Sequence, residues 1–150
     1  MTPIGIISGT VLHGTSVFKG LRTEHAVNEF GRVTLRLSRD IAHIPRHDSE
    51  TGGYVLPHLV NHRANLTALK ALGVRTVVAV NSTGSLRRGL PPGSIVVPDD
   101  FILLADTPTV FADKPVHITP ELLSLIHISE PTRLLSISYA VFCLKNKKNN

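Results

Sequence analysis

The stretch from Pro57 to Val80 constrains the fold more than any other part of this chain. Residues 57–73, PHLVNHRANLTALKALG, carry an amphipathic helical pattern in which Leu59, Leu66, Leu69 and Leu72 share one stripe. Pro57 suits the first turn of that helix and Gly73 its C′ position. Residues 76–80, TVVAV, follow after a tight connection as an unbroken apolar run. A strand with no polar alternation is expected to be covered on both faces, as strands of α/β sheets are. Further strands are predicted at residues 3–7 (PIGII), 33–37 (VTLRL), 41–45 (IAHIP) and 94–98 (SIVVP), with SETGGY at 49–54 as loop. The pattern is α/β with some parallel strands. A chain of 150 residues, 42% of them hydrophobic, suits one domain with a sizeable core.

Three of these apolar runs stop on residues suited to an anion. The first ends in Ser8-Gly9-Thr10, another in Arg46-His47, and a third in Asn81-Ser82-Thr83-Gly84-Ser85. Ligands of α/β sheets sit outside the carboxyl ends of strands. Glycine lets backbone N–H groups approach an anion, and serine or threonine adds a hydroxyl. Arginine adds a forked, permanently charged donor that matches phosphate. Each piece alone is an ordinary turn or surface pair. Together they would form an oxyanion pocket of phosphate size.

The segments IGIISGT, IPRH, PHLVNHRANLTALKALGV, VNSTGSL and PGSIVVPDDFI, in this order and spacing, resemble the purine nucleoside phosphorylase superfamily. The nearest branch looks like the trimeric methylthioadenosine and methylthioinosine phosphorylases. The resemblance runs from about Pro3 to Leu122 and takes in VFADKPVHITPEL at 110–122. It implies a central mixed sheet flanked by helices, of which residues 1–122 would be the N-terminal part. It implies phosphorolysis, in which inorganic phosphate attacks C1′ of a purine nucleoside and releases the free base. Phosphate is then a co-substrate, and no cofactor or metal is expected. By the same resemblance Thr10, Arg46, His47, Asn81 and Ser82 bind phosphate, and Thr83 and Gly84 begin the wall against the purine. The residue that stabilises the leaving purine lies beyond this length in that family, so the catalytic residue stays unknown. The choice between 6-amino and 6-oxo purines, and between methylthio and hydroxyl at the 5′ position, stays open for the same reason.

Two positions depart from the family pattern. Its usual Gly-Gly-Thr-Gly is here Ser8-Gly9-Thr10-Val11, and its Arg-His-Gly is Arg46-His47-Asp48. Asp48 puts a carboxylate beside an expected anion site. Other polar residues have plainer readings. His58 and His62, four apart, lack the glutamate of a zinc-protease helix and read as residues that hydrogen-bond near the site or sit at a subunit contact. Arg87-Arg88 reads as solvated surface and Asp99-Asp100 as a loop or helix N-cap. Gly5, Gly9 and Gly14 do not space as a dinucleotide-binding Gly-x-Gly-x-x-Gly.

Residues 123–150, LSLIHISEPTRLLSISYAVFCLKNKKNN, leave the family pattern and resemble the translation of a transposase-type sequencing adapter. Leu123 to Arg133 and Ile137 to Leu144 follow the adapter codon by codon. Leu134-Leu135-Ser136 fall where its index lies, and Lys145 to Asn150 are all A-rich codons. The segment is therefore expected to be a non-native tail without a domain, detached or arbitrarily placed. It holds Arg133, Lys145, Lys147 and Lys148 against Glu130. Without it the sixteen basic and eleven acidic residues fall to twelve and ten, and the net charge from +5 to +2. The charge then gives no reason to expect nucleic acid. The only cysteine, Cys143, is also in the tail, so no disulfide or thiol chemistry is expected from the rest. Met1-Thr2-Pro3 leads directly into a strand with no basic region ahead of it, and no apolar run is long enough to span a membrane.

The expected partners are a small-molecule nucleoside and phosphate, with neither nucleic acid nor membrane. The full-length parent is expected to be a cytoplasmic homotrimer acting in purine salvage. The alternative is a non-catalytic, truncated α/β fragment that at most binds an anion. That alternative is the expectation for the 150 residues by themselves.

Overall fold

The computed structural model describes residues 2–12, 15–49, 52–84, 88–98 and 108–115, and the backbone of 137–144. Its strands are β1 (Ile4–Ser8), β2 (Arg22–Asn28), β3 (Gly31–Leu37), β4 (Ile41–Pro45), β5 (Thr76–Thr83), β6 (Ile95–Val96) and β7 (Ile137–Leu144). The single α-helix among the described residues is α1 (His62–Ala71). The strands form one mixed sheet in the order β2-β3-β4-β1-β5-β7-β6. β1 lies parallel to both β4 and β5, whereas β2, β3 and β4 follow one another antiparallel. A mixed sheet with a helix against it matches the expected fold class.

The core sits between α1 and the centre of the sheet. Val33 and Leu35 of β3, Ala42 and Ile44 of β4, and Ala64, Ala68 and Leu69 of α1 make one buried cluster, bordered by Ile7, Val74 and Val77. Helix and sheet approach closely because the facing positions are small. A Cβ at Gly5 would sit 2.8 Å from Val74 Cγ1 and 3.2 Å from Leu69 Cδ1. On the opposite face, His43 is fully buried and stacks on Phe18 with ring centroids 3.6 Å apart. Its Nε2 lies 2.8 Å from Ser8 Oγ. Serine beside histidine could be taken for a nucleophilic pair, but Ser8 is 0% and His43 1% exposed, so neither reaches a substrate.

The helix differs from its predicted extent. Pro57–Leu59 forms a separate 3₁₀ turn, and α1 starts only after Asn61. Asn61 caps α1 by accepting the Ala64 N–H at 3.0 Å, while its own amide donates to the Phe30 carbonyl. The buried stripe also differs in phase. Ala64, Asn65, Ala68 and Leu69 face the sheet, so of the predicted leucines only Leu69 is buried, and Leu59, Leu66 and Leu72 are exposed. The C-terminus is as predicted. Gly73 has φ 75°, its N–H reaches the Lys70 carbonyl, and the Val74 N–H reaches that of Leu69, which is the Schellman pattern.

β5 also differs. The apolar run was expected to stop at Val80, yet the strand continues to Thr83. Val77, Val78, Ala79 and Val80 are half-buried rather than covered on both faces, since the buried cluster reaches this part of the sheet only at its border. The extension has a partner: β7 pairs parallel along all of β5, from Thr76 with Ile137 to Thr83 with Leu144. The segment 137–144 is thus hydrogen-bonded into the sheet, which departs from the first of the two placements expected for the tail, detached or arbitrary. An open strand edge presents unpaired N–H and C=O groups, and an apolar, β-prone run can satisfy them.

Candidate functional site

Parallel pairing decides where the polar strand ends go. In register, Ser8 lies opposite Pro45 on one side and Val80 on the other. The residues that follow each of these three, Gly9-Thr10, Arg46-His47 and Asn81-Ser82, therefore emerge at one edge of the sheet. Backbone bonds tie the edge together. The Arg46 N–H donates to the Ser8 carbonyl at 3.0 Å, and the Gly9 N–H to the Val80 carbonyl at 3.3 Å.

Arg46 stands at the middle of this edge. Its Nη1 donates to the Val80 carbonyl at 3.2 Å and its Nε to His47 Nε2 at 3.2 Å. No described hydrogen bond engages Nη2, and Arg46 is in none of the described ion pairs. Burial lowers the guanidinium from its ordinary pKa, an effect that Tyr54 partly opposes. A half-buried cation without a carboxylate is costly unless an anion joins it. The side chain lies directly over Gly9, where a Cβ would meet Nη2 at 2.7 Å and Cζ at 3.2 Å. Gly9 is thus the floor of the site, a role beyond the backbone access for which its type was noted. Gly9→Ala is expected to push the guanidinium aside and weaken any anion binding at Arg46 roughly tenfold. Titration with inorganic phosphate checks this, and unchanged binding would mean that the fork is not held over Gly9.

His47 is oriented rather than free. Its Nδ1 donates to the Val55 carbonyl at 2.8 Å, which leaves Nε2 to accept from Arg46. The ring stacks on Tyr54 at 5.0 Å. With both nitrogens engaged, His47 holds Arg46 in place, and a direct contact with an anion would require the loss of one of these bonds. His62, at the start of α1, has a lowered pKa through burial, with smaller contributions from Arg46 and His47. His62 thus lies near the site, one of the two places expected for it. Sequence reasoning missed Tyr54, since nothing local in GGY indicates where its ring goes.

The remaining predicted residues spread more widely. Thr10 is exposed and opens a 3₁₀ turn, Thr10–Leu12. Because β5 continues to Thr83, pleating sends Asn81 and Thr83 to one face and Ser82 to the other. Asn81 and Thr83 are half-buried, and Ser82 and Gly84 exposed. The Thr83 hydroxyl donates to the Gly84 carbonyl at 3.3 Å. These residues therefore alternate between the two faces of β5. His58 lies in the 3₁₀ turn and His62 in α1, so the two do not share a helical face. Ser85, Arg87 and Asp99-Asp100 lie outside the described residues.

Beside this edge, on the α1 side, is a cleft of about 250 Å³. Arg32, Arg46, Asp48, Thr34, Ser49, Asn61 and Asn65 contribute its polar lining. Asp48 does not lean on Arg46: its Oδ2 accepts from Arg36 Nη2 at 2.7 Å.

A family model described as the phosphorylase superfamily matches residues 3–140, running past residue 122 and into β7. A probable S-methyl-5′-thioinosine phosphorylase of Methanothermobacter thermautotrophicus is 41% identical over 123 residues, covering 77% of this chain and 43% of that protein. An S-methyl-5′-thioadenosine phosphorylase of Hyperthermus butylicus is 38% identical over 105 residues, covering 66% of this chain and 38% of that protein. The solved methylthioadenosine phosphorylase of Schistosoma mansoni in its apo form has a TM-score of 0.59 at 33% identity, covering 68% of this chain and 38% of that one. The chain spans less than half the length of each of these relatives.

Proposed function

Because the chain belongs to the phosphorylase superfamily, we propose that the full-length protein is a purine nucleoside phosphorylase of the methylthioadenosine and methylthioinosine branch. Phosphate would attack C1′ as the C1′–N9 bond breaks. The bonding pair leaves with the purine, which takes up a proton, and the sugar leaves as its 1-phosphate. Positive charge builds on the sugar along the way. A phosphate held close to C1′ stabilises that charge and then forms the bond.

The observation that supports this reading is Arg46, a half-buried guanidinium at the shared edge of three parallel strands, in none of the described ion pairs. Thr10, Asn81 and Ser82 complete the phosphate site in this reading. His47 orients Arg46, and Thr83 with Gly84 begin the base wall. Phosphate is the co-substrate, and no organic cofactor is needed. The homotrimer, the cytoplasmic setting and the role in purine salvage rest on the family resemblance alone.

The reading is tested by incubating the full-length enzyme with methylthioadenosine, methylthioinosine and inosine, with and without phosphate. Free purine should appear only with phosphate present. Release that ignores phosphate would mean hydrolysis instead, and no release with any of the three would end the proposal.

A further inference from the structure

Asp48 presents a problem that any anion site at Arg46 has to solve. It follows Arg46 by two residues and lines the same cleft. A carboxylate on so short a tether competes with free phosphate at a high effective concentration. It would also repel a phosphate bound nearby. The structure shows where this carboxylate goes instead. Arg36, on β3, donates from Nη2 to Asp48 Oδ2 at 2.7 Å, and both side chains are partly buried. Strand pairing brings Arg36 within reach, because it lies opposite His43 on β4, the strand that ends one residue before Arg46.

We propose that Arg36 is a positioning residue for the phosphate site, holding the Asp48 carboxylate off Arg46 and neutralising it, so that the Arg46 fork stays available to the anion. The proposal rests on the phosphate reading of Arg46. It also accounts for how this chain carries aspartate where its family resemblance calls for glycine. Arg36 is not among the residues that line the cleft, and it acts through Asp48.

In the full-length enzyme, Arg36→Ala should raise the phosphate KM roughly five- to tenfold with little change in the nucleoside KM, and the effect should shrink as ionic strength rises. The double variant Arg36→Ala with Asp48→Asn should return the phosphate KM to within about twofold of the starting value, because the rival charge is gone. Rescue separates this account from a merely structural loss, which a second substitution would not repair. Failure of the double variant to recover overturns the proposal, as does a rise in both KM values alike. If Arg36→Ala changes nothing while Arg46→Ala weakens phosphate selectively, Arg36 loses its role and the phosphate site stands. If Arg46→Ala is equally silent, both readings fall.

Discussion

Replacing Arg46 with alanine in the full-length enzyme is expected to raise the phosphate KM roughly tenfold to a hundredfold while the nucleoside KM changes far less. The magnitude follows from removing a charged donor, which costs about 1.5–3 kcal/mol. The direction follows from the surroundings of Arg46. Its Nη1 is tied to the Val80 carbonyl and its Nε to His47, so the group is already oriented before an anion arrives. Burial disfavours its charge, and an arriving anion compensates for that. Arg46→Lys should recover part of the loss, since an ammonium supplies the charge but not the fork. Initial rates at varied phosphate and varied nucleoside separate the two constants. Equal effects on both would remove Arg46 from the phosphate role.

The 150-residue chain by itself is expected to show no phosphorolysis and to associate in solution. It spans 43% and 38% of the two curated relatives described above. The half-buried valines of β5 and the exposed Leu66, Leu72, Ile95 and Val97 leave apolar surface without cover. β2 and β6 end the sheet with open edges. β7 occupies the outer edge of β5 but adds another β-prone apolar run. If residues 123–150 are an adapter translation, a chain ending at residue 122 should have the same lack of activity and should still associate, because the edge of β5 that β7 covers is then open. Size-exclusion chromatography of both lengths, with the purine-release assay, checks this. A monodisperse trimer of the 150-residue chain that releases purine would show that the tail is native and that the site lies within these residues.

Much of the site was legible because its parts are local. SGT, PRH and NST follow apolar runs, and chain chemistry alone marks them as anion-friendly. β2 was not legible. Arg22, Glu24 and His25 give it little apolar alternation, and Glu29-Phe30 is not a typical hairpin turn, so only its pairing with β3 makes it a strand. The partner of Asp48 was hidden for a similar reason, because Arg36 lies twelve residues away and only the β3–β4 pairing brings it near.

The sequence by itself determined the elements that depend on short-range pattern: the apolar runs of β1, β3, β4 and β5, and the Gly73 stop of α1. It also determined the residue types available at the strand ends. The tertiary structure alone decided the phase of α1, the extension of β5 to Thr83, the fold of Arg46 over Gly9 and the capture of Asp48 by Arg36. The physical reason is the range of the interactions. Periodicity, capping and turn preference act within a few residues, so they are written in the local sequence. Strand register and the packing of one side chain over another's backbone depend on contacts between distant residues, which no local pattern specifies.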